Sequence, residues 1–165
     1  MKILALDLGT QTGWALHNGE CLVGSGTQKF DVRRGESPGM RFVRFVRWLQ
    51  EMTLLTHSDS RGDETKAVPL VNLIAYEAPH HRGGAATEIA CGFSTRIHEL
   101  CARYEIQHAS VHTATLKKHA TGFGKASKEA MKLNAFKVWG IDVKTDDEAD
   151  ALAVLAWALE ESEGS

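Results

Sequence analysis

The sequence lacks the features of disulfide-stapled and membrane-spanning proteins. Its three cysteines are odd in number and have no CxxC or zinc-knuckle spacing, so we expect buried, reduced thiols. No apolar run approaches the ~20 residues that span a bilayer. Asp7 interrupts the apolar N-terminal segment before a signal-peptide core can form. We therefore expect one globular domain over residues 1–165, in the cytoplasm and without a membrane partner.

The sequence also lacks the overall positive charge that is typical of nucleic-acid-binding proteins. Its formal net charge is −2. The charges are nevertheless uneven, because residues 115–138 carry six lysines against one glutamate, or +5. Residues 142–163 carry eight acids against one lysine, or −7. This pattern is compatible with a phosphate-binding surface beside a metal site, and equally with two solvated helix faces.

Hydrophobic periodicity predicts an α/β fold. Helices are expected near 40–55, 86–104, 127–140 and 147–161, residues 115–120 are compatible with a fifth, and polar residues 56–66 are predicted to be a surface loop. Asn18-Gly19 is a strong hairpin signal, which makes the first three strands antiparallel. The order βββ–α–β–α–β–α–α indicates a mixed five-stranded sheet with helices on both faces. The predicted strands are 2–8, 14–17, 21–30, 71–76 and 108–112.

Acidic residues stand near the ends of two apolar strands. Asp7 lies near the end of the first predicted strand, and Glu77 terminates the fourth. An unpaired charge in apolar surroundings is costly, although Asp7 alone is also explained as a cap of the turn at Gly9-Thr10. Two strand-end acids can converge on one edge of a sheet. Oxygen ligands at such an edge would hold a hard divalent cation.

The start of the last predicted helix carries more acids. Asp147 and Asp150 are three residues apart and share a helix face, while Asp147 is also a candidate N-cap. Asp146 and Glu148 blur this register, since Asp146 shares a face with Asp150. The spacing alone therefore leaves open whether Asp146 or Glu148 takes the place of Asp147.

Taken together, these motifs resemble the RuvC family of Holliday-junction resolvases, which has an RNase H-like fold. The segment Lys117–Lys128, combined with His80-His81-Arg82-Gly83-Gly84 after the strand-end acid, looks most like the phage and prophage members. The resemblance rests on Asp7-Leu8-Gly9-Thr10, Tyr76-Glu77 and Asp147-x-x-Asp150-Ala-Leu-Ala, and it covers nearly the whole chain. It implies an endonuclease that resolves four-way and other branched DNA as a homodimer, in a bacterial or phage-infected cell, and leaves 5′-phosphates. It also implies that two Mg²⁺ ions, replaceable by Mn²⁺, are held by Asp7, Glu77, Asp147 and Asp150.

The resemblance extends to the basic, glycine-containing segment from Lys117 to Lys128. These two lysines match the family's characteristic pair, and Lys118, Lys125 and Arg82 are expected to help them bind DNA phosphates. His80 and His81 are candidates for contact with the nucleic acid or a phosphate. Because they have no zinc-ligand partner at suitable spacing, we do not expect them to bind a metal. Cellular RuvC has an aromatic residue shortly after its strand-end glutamate. Here Pro79, His80 and His81 occupy that place, so the cellular sequence preference is not carried over.

Several alternatives remain open. The apolar stripe Ile89, Phe93, Ile97 and Leu100 fits either a dimer surface or the core. A module that binds branched nucleic acid without cutting it, or an RNase H-like nuclease acting on RNA or flaps, would share most of these features. Asp7-x-Gly9-Thr10 also resembles the phosphate loop of actin-like ATPases and sugar kinases. Those proteins need two domains and a second such loop, which this sequence lacks.

Overall fold

The computed structural model describes residues 1–57, 66–80 and 83–164. Its strands are β1 (Lys2–Asp7), β2 (Gln11–Asn18), β3 (Leu22–Lys29), β4 (Leu54–His57), β5 (Lys66–Pro69), β6 (Leu73–Glu77) and β7 (Gln107–Val111). Its helices are α1 (Met40–Thr53), α2 (Ala85–Tyr104), α3 (Thr113–Thr121), α4 (Lys128–Trp139) and α5 (Asp146–Glu163). Across the described ranges, no helix combines the length and the hydrophobicity that crossing a bilayer requires.

Five strands form one mixed sheet in the order β3-β2-β1-β6-β7. The first three strands are antiparallel, whereas β6 runs parallel to β1 and β7 runs parallel to β6. The Asn18-Gly19 turn joins β2 to β3 with Gly19 at φ 101°, a conformation that favours glycine. The predicted mixed five-stranded sheet is thus confirmed.

The central position of β1 follows from its sequence, which is apolar on both faces. Alternate side chains of a strand point to opposite sides. Ile3 and Ala5 therefore join the core on one side, Leu4 and Leu6 join the core on the other, and all four are fully buried. The apolar run ends at Asp7, which is the last residue of the strand.

Helices cover both faces of the sheet, as predicted. The core on one side is built mainly by α5, with α3 and α4 packed around it. The core on the other side is built by α1 and α2 and contains Phe93, Ile97 and Leu100, which are buried. The apolar stripe of α2 is therefore explained by core packing against the sheet and not by a dimer surface.

Side-chain caps fix the starts of the last two helices. Ser127 Oγ accepts a hydrogen bond from the Ala130 N–H at 3.2 Å, which confirms the predicted N-cap of α4. Thr145 Oγ1 accepts from the Glu148 N–H at 3.2 Å and caps α5. The alternative role of Asp147 as the N-cap was wrong, because Asp147 lies inside the first turn of α5.

Some sequence-based expectations were wrong. The first helix ends at Thr53, because Leu54 is extended (φ −127°, ψ 136°) and begins β4. β4 pairs antiparallel with β5, so the predicted surface loop 56–66 contributes to a two-stranded hairpin outside the main sheet. Residues 58–65 of that loop lie outside the described residues. The cysteines are not all buried, since Cys21 is exposed beside the β2–β3 turn.

Candidate active site

Parallel pairing of β1 and β6 brings the two strand-end acids together. Leu6 is opposite Tyr76 in the register, so Asp7 and Glu77 follow on adjacent strands at the same edge of the sheet. Burial raises the pKa of Asp7 well above its usual range, and the Glu77 carboxylate raises it further. The two acids therefore converge on one edge of the sheet, as predicted.

A glycine in β2 lets the acidic helix reach the same edge. Gly13 lies opposite Asp7 in the β1–β2 pair, and a Cβ atom added to Gly13 would lie 1.8 Å from the carbonyl oxygen of Asp147. The first turn of α5 therefore packs against the β2 backbone at a distance that only glycine permits. Sequence reasoning missed this role of Gly13, because its contact is with a residue far away in the chain.

The four acids act on one another electrostatically. After burial and Glu77, the carboxylates of Asp150 and Asp147 also raise the pKa of Asp7. Burial raises the pKa of Asp150 to about 6, with Glu77 as the next cause. Among the described residues, no hydrogen bond to the Asp7 carboxylate lowers its pKa against these effects. Asp7 is thus a buried acid surrounded by like charges, an arrangement that is costly without a cation.

Hydrogen bonds separate the acids of α5 into two groups. Asp146 forms ion pairs with Lys128 at 2.6 Å and Lys132 at 3.0 Å, and these bonds lower its pKa. The Ser25 hydroxyl donates to the Glu148 carboxylate at 2.8 Å.

Asp147, in contrast, accepts a hydrogen bond from Gln11 Nε2 at 2.6 Å, at the start of the strand that follows Asp7. Asp146 is therefore engaged by α4 and Glu148 by β3, while Asp147 and Asp150 accompany Asp7 and Glu77.

Glu77 is held by the first residue of α3. The Thr113 hydroxyl donates a short hydrogen bond to Glu77 Oε1, and His80 Nε2 contacts the same hydroxyl. His80 Nε2 also lies 3.7 Å from Glu77 Oε1, and the Glu77 side chain is only 13% exposed. Sequence reasoning missed both Thr113 and Gln11, since a neutral residue at an element start carries no local signal of contact with a distant acid.

The predicted DNA-binding residues have different surroundings. Lys117 is close enough to Asp150 to oppose the rise in its pKa, so it belongs to the rim of the acidic cluster. Lys128 is engaged by Asp146, and this hydrogen bond raises the pKa of Lys128. Lys118 and Lys125 are exposed, as is His80. His81 and Arg82 lie outside the described residues.

A small cleft opens over the strand-end acids. It has a volume of about 190 Å³ and is lined by Asp7, Glu77 and His80 together with the first turns of α2. A wider groove of about 450 Å³ lies between β7 and the end of α5, where Met1 and Trp157 line it. That groove contains none of the four acids, so the chemistry of the molecule points to the smaller cleft.

The donor set of the cluster fits a divalent cation. Carboxylate oxygens are the ligands that Mg²⁺ prefers, and a bound cation would offset the charge of the buried Asp7. Within residues 1–57, 66–80 and 83–164, no three His, Cys, Asp or Glu side chains stand close enough together to hold a metal ion in their present positions. The four acids are thus neighbours at one edge of the sheet, where Asp7 and Glu77 line the cleft, and they do not form a closed cage.

Comparison with solved structures identifies the fold. RuvC from Thermus thermophilus matches with a TM-score of 0.72 and 18% identity over 99% of this chain and 97% of that chain. The chain has the RuvC fold. The same RuvC in complex with a Holliday junction substrate matches with a TM-score of 0.74 and 17% identity, over 99% and 96% of the two chains.

A viral structure shares the RuvC fold more loosely. The Holliday junction resolvase of fowlpox virus matches with a TM-score of 0.57 and 11% identity, over 98% of this chain and 99% of that one. At the level of sequence, no protein-family model and no curated protein matches. These similarities concern the fold, and the predicted likeness to phage and prophage members stays a prediction.

Proposed function

We propose that this protein is a metal-dependent endonuclease, a single RNase H-like domain that resolves Holliday junctions and other branched DNA. The observation that carries the proposal is the meeting of Asp7, Glu77, Asp147 and Asp150 at one edge of the sheet, with Asp7 buried among like charges. The likeness of the fold to two junction resolvases supports the choice of substrate. We assign the four acids as ligands of two Mg²⁺ ions, for which Mn²⁺ can substitute.

The chemistry required is phosphodiester hydrolysis with a 5′-phosphate product. Asp7, Glu77, Asp147 and Asp150 would hold the divalent cations, which when bound would supply an activated water and charge stabilisation for the leaving 3′-oxygen. Gln11 and Thr113 orient the carboxylates of Asp147 and Glu77 through their hydrogen bonds. Fixed carboxylate positions lower the reorganisation that ligation would require.

The basic residues of the cleft rim bind the DNA backbone in this proposal. Lys117 lies beside Asp150, where its ammonium group would contact a phosphate next to the scissile bond. Lys118, Lys125, Lys128, His80, His81 and Arg82 are proposed as further DNA contacts. Lys128 exchanges its ion pair with Asp146 for a phosphate when DNA binds.

A homodimer fits this substrate. A four-way junction has pseudo-two-fold symmetry, and paired symmetric cuts need two active sites at matching separation, which a C2 dimer provides. The apolar stripe of α2 is not available for this interface, because Phe93 and Ile97 are fully buried in the protomer. We propose that the protein acts in the cytoplasm, on the DNA of the cell in which it is made.

The decisive test is cleavage of a labelled four-way junction in Mg²⁺, beside linear duplex, flap and RNA–DNA hybrid substrates, with EDTA as the blank. Paired symmetric nicks confined to the junction and abolished by EDTA are expected. Cleavage of flaps or hybrids at equal rates would instead favour the broader RNase H-like nuclease. Tight junction binding without cutting in either Mg²⁺ or Mn²⁺ would favour the non-cleaving module.

An Asp7→Asn variant tests the site itself. It should abolish cleavage and leave junction binding intact, because it removes a metal ligand and no DNA contact. The thermal midpoint of the wild-type protein should rise with Mg²⁺ or Mn²⁺, since a ligand that binds only the folded state stabilises it, and this rise should vanish in the variant. Asp142→Asn, at an exposed position between α4 and α5, is the matched control. Undiminished cutting by Asp7→Asn would remove Asp7 from the site.

A further inference from the structure

The loop between α3 and α4 presents an aromatic side chain to solvent. Phe123 is 75% exposed, more than any other large apolar side chain in the described part of the chain. An exposed ring does not contribute to the fold the hydrophobic stabilisation that a buried ring would. The position therefore has no explanation in the packing of the protomer.

The backbone on both sides of Phe123 is fixed by hydrogen bonds. Gly122 ends α3 in the left-handed region (φ 83°), and its N–H donates to the Lys118 carbonyl at 2.8 Å. The Phe123 N–H donates to the Thr121 hydroxyl at 3.3 Å, and the Phe123 carbonyl accepts from the Ala126 N–H at 3.2 Å. The exposed ring thus stands on an ordered turn, so less conformational entropy is lost when it binds a ligand.

The turn lies close to the acidic cleft. A Cβ atom added to Gly124 would lie 3.2 Å from the carbonyl oxygen of Ala114, so the chain folds back over the first turn of α3. Thr113, which bonds to Glu77, is the neighbouring residue in that turn. Phe123 is therefore next to Gly124, which packs against α3 one residue away from Thr113, the residue that holds Glu77.

Lysines flank the exposed ring in the sequence, one in the last turn of α3 and one on the α3–α4 turn itself. Lys118 is in the last turn of α3, and Lys125 is exposed two residues after Phe123. Lysines bind phosphates and so position a nucleic acid, whereas an aromatic face stacks on a nucleobase. In a regular duplex the base faces are covered by their neighbours, while at a branch point some of them are uncovered.

We propose that Phe123 stacks on an unpaired or unstacked nucleobase at the branch point of the DNA. This inference deepens the proposed function and rests on it. It assigns to the α3–α4 turn the recognition of branched over linear DNA, with the flanking lysines holding the phosphates on either side. The ring then acts as a positioning residue that sets which phosphate reaches the acidic cleft.

The test uses the full chain in Ca²⁺ with a four-way junction that carries 2-aminopurine at the crossover. Phe123→Ala is compared with Phe123→Trp, and Phe136→Ala serves as the matched control, because Phe136 is 56% exposed on α4 and lies outside the turn. Phe123→Ala should weaken junction binding by about 5- to 100-fold, the cost of one lost base–aromatic stack. It should also abolish the 2-aminopurine fluorescence change.

Further readouts separate stacking from a merely structural effect. Phe123→Trp should retain the affinity and the fluorescence change, and Phe136→Ala should behave as the wild-type protein. Affinity for linear duplex should be the same in all variants. The slope of log K against log salt should not change in Phe123→Ala, since no phosphate contact is lost.

Specific outcomes would overturn the inference. Wild-type affinity and fluorescence change in Phe123→Ala, with junction cutting by the wild-type protein intact, would remove Phe123 and leave the proposed function standing. An equal loss on junction and duplex would make Phe123 a general contact, and a changed oligomeric state without a changed fluorescence signal would place it between copies of the chain. A wild-type protein that neither binds nor cuts junctions would overturn both proposals.

Discussion

The two faces of the sheet are packed in different ways. On one face, α1 and α2 contribute large aromatic rings, and Phe45 and Phe93 stack with their centroids 3.9 Å apart. On the other face, α5 contributes small side chains such as Ala149 and Ala153, and its first turn meets the backbone of Gly13 directly. Large rings fill volume and hold the helices away from the strands, whereas small residues let the acids of α5 reach the strand edge. The alanine face thus brings Asp147 and Asp150 to the strand edge, and the first turns of α2, from the aromatic face, line the cleft beside Asp7 and Glu77.

Replacing Gly13 should break this arrangement with the largest effect. In Gly13→Ala the added Cβ would overlap the Asp147 carbonyl, 1.8 Å away, and backbone atoms cannot move aside cheaply. We expect a loss of more than about 3 kcal/mol of folding stability and the loss of cleavage, measured by denaturant unfolding and junction cutting. Gly24→Ala is the control, because its added Cβ meets Trp14 at an ordinary 3.5 Å. Equal behaviour of the two variants would contradict the close packing of α5.

Removing a ring from the opposite face should affect stability alone. Phe93 is fully buried and contacts Phe30, Phe42 and Phe45. Phe93→Ala should cost about 3–5 kcal/mol of unfolding free energy, while cleavage per folded molecule at low temperature is retained. Val43→Ala, at an exposed position of α1, should cost little. Abolished cleavage in a folded Phe93→Ala protein would show that the aromatic face also shapes the site.

The acidic cluster should make the metal-free protein sensitive to pH. Asp150 has a folded-state pKa of about 6, above its usual value of 3.8, so its charge destabilises the fold above pH 6. This destabilisation should fade as the pH falls from 6 towards 4. Asp150→Asn should therefore raise the thermal midpoint in EDTA at pH 7.5 by about 2–4 °C, and the gain should shrink at pH 4.5.

The pH comparison is made as a difference between the two proteins, so that the titration of other groups cancels. Asp142→Asn provides the control for loss of an exposed charge. A gain in stability that grows on acidification would mean that Asp150 is stabilised as the carboxylate, contrary to the surroundings described above.

The smallest expected effect concerns the ion pairs of α4. Lys132 lies 3.0 Å from Asp146, at a partly exposed position. Lys132→Ala should cost less than about 1 kcal/mol and leave cleavage unchanged, because exposed ion pairs contribute little. Lys137→Ala, on the same helix, is the comparison in thermal unfolding at low and high salt. A large loss of activity in Lys132→Ala alone would show that the position of Asp146 matters for the acids beside it.

Much of the fold was predictable from local pattern. Strand alternation, the Asn18-Gly19 turn and the Ser127 cap are properties of neighbouring residues, and they placed most elements correctly. The hairpin of β4 and β5 was not predictable in the same way. Its strands are separated by a polar segment, and their pairing depends on contacts across that segment.

The site was predictable in part for the same reason. The positions of Asp7 and Glu77 at strand ends follow from the sequence, but the choice between Asp146 and Asp147 depends on lysines of α4 that no spacing rule includes. The supports of the site, Gln11 and Thr113, contact acids that are distant in the chain. The geometry here favours Asp147 over Asp146, and the metal-binding role itself stays a prediction.

The positions of the four acids in the sequence also determine how much of the chain must be present before the site can form. Asp7 belongs to β1, Glu77 to β6, and Asp147 and Asp150 to α5, so no contiguous fragment shorter than residues 7–150 contains all of them. A protease cut within the α4–α5 connection, followed by release of the last helix, would leave the strand edge without half of its carboxylates. In the proposed nuclease, the site would therefore stay incomplete and inactive while the nascent chain is synthesised, until α5, the last element, has docked.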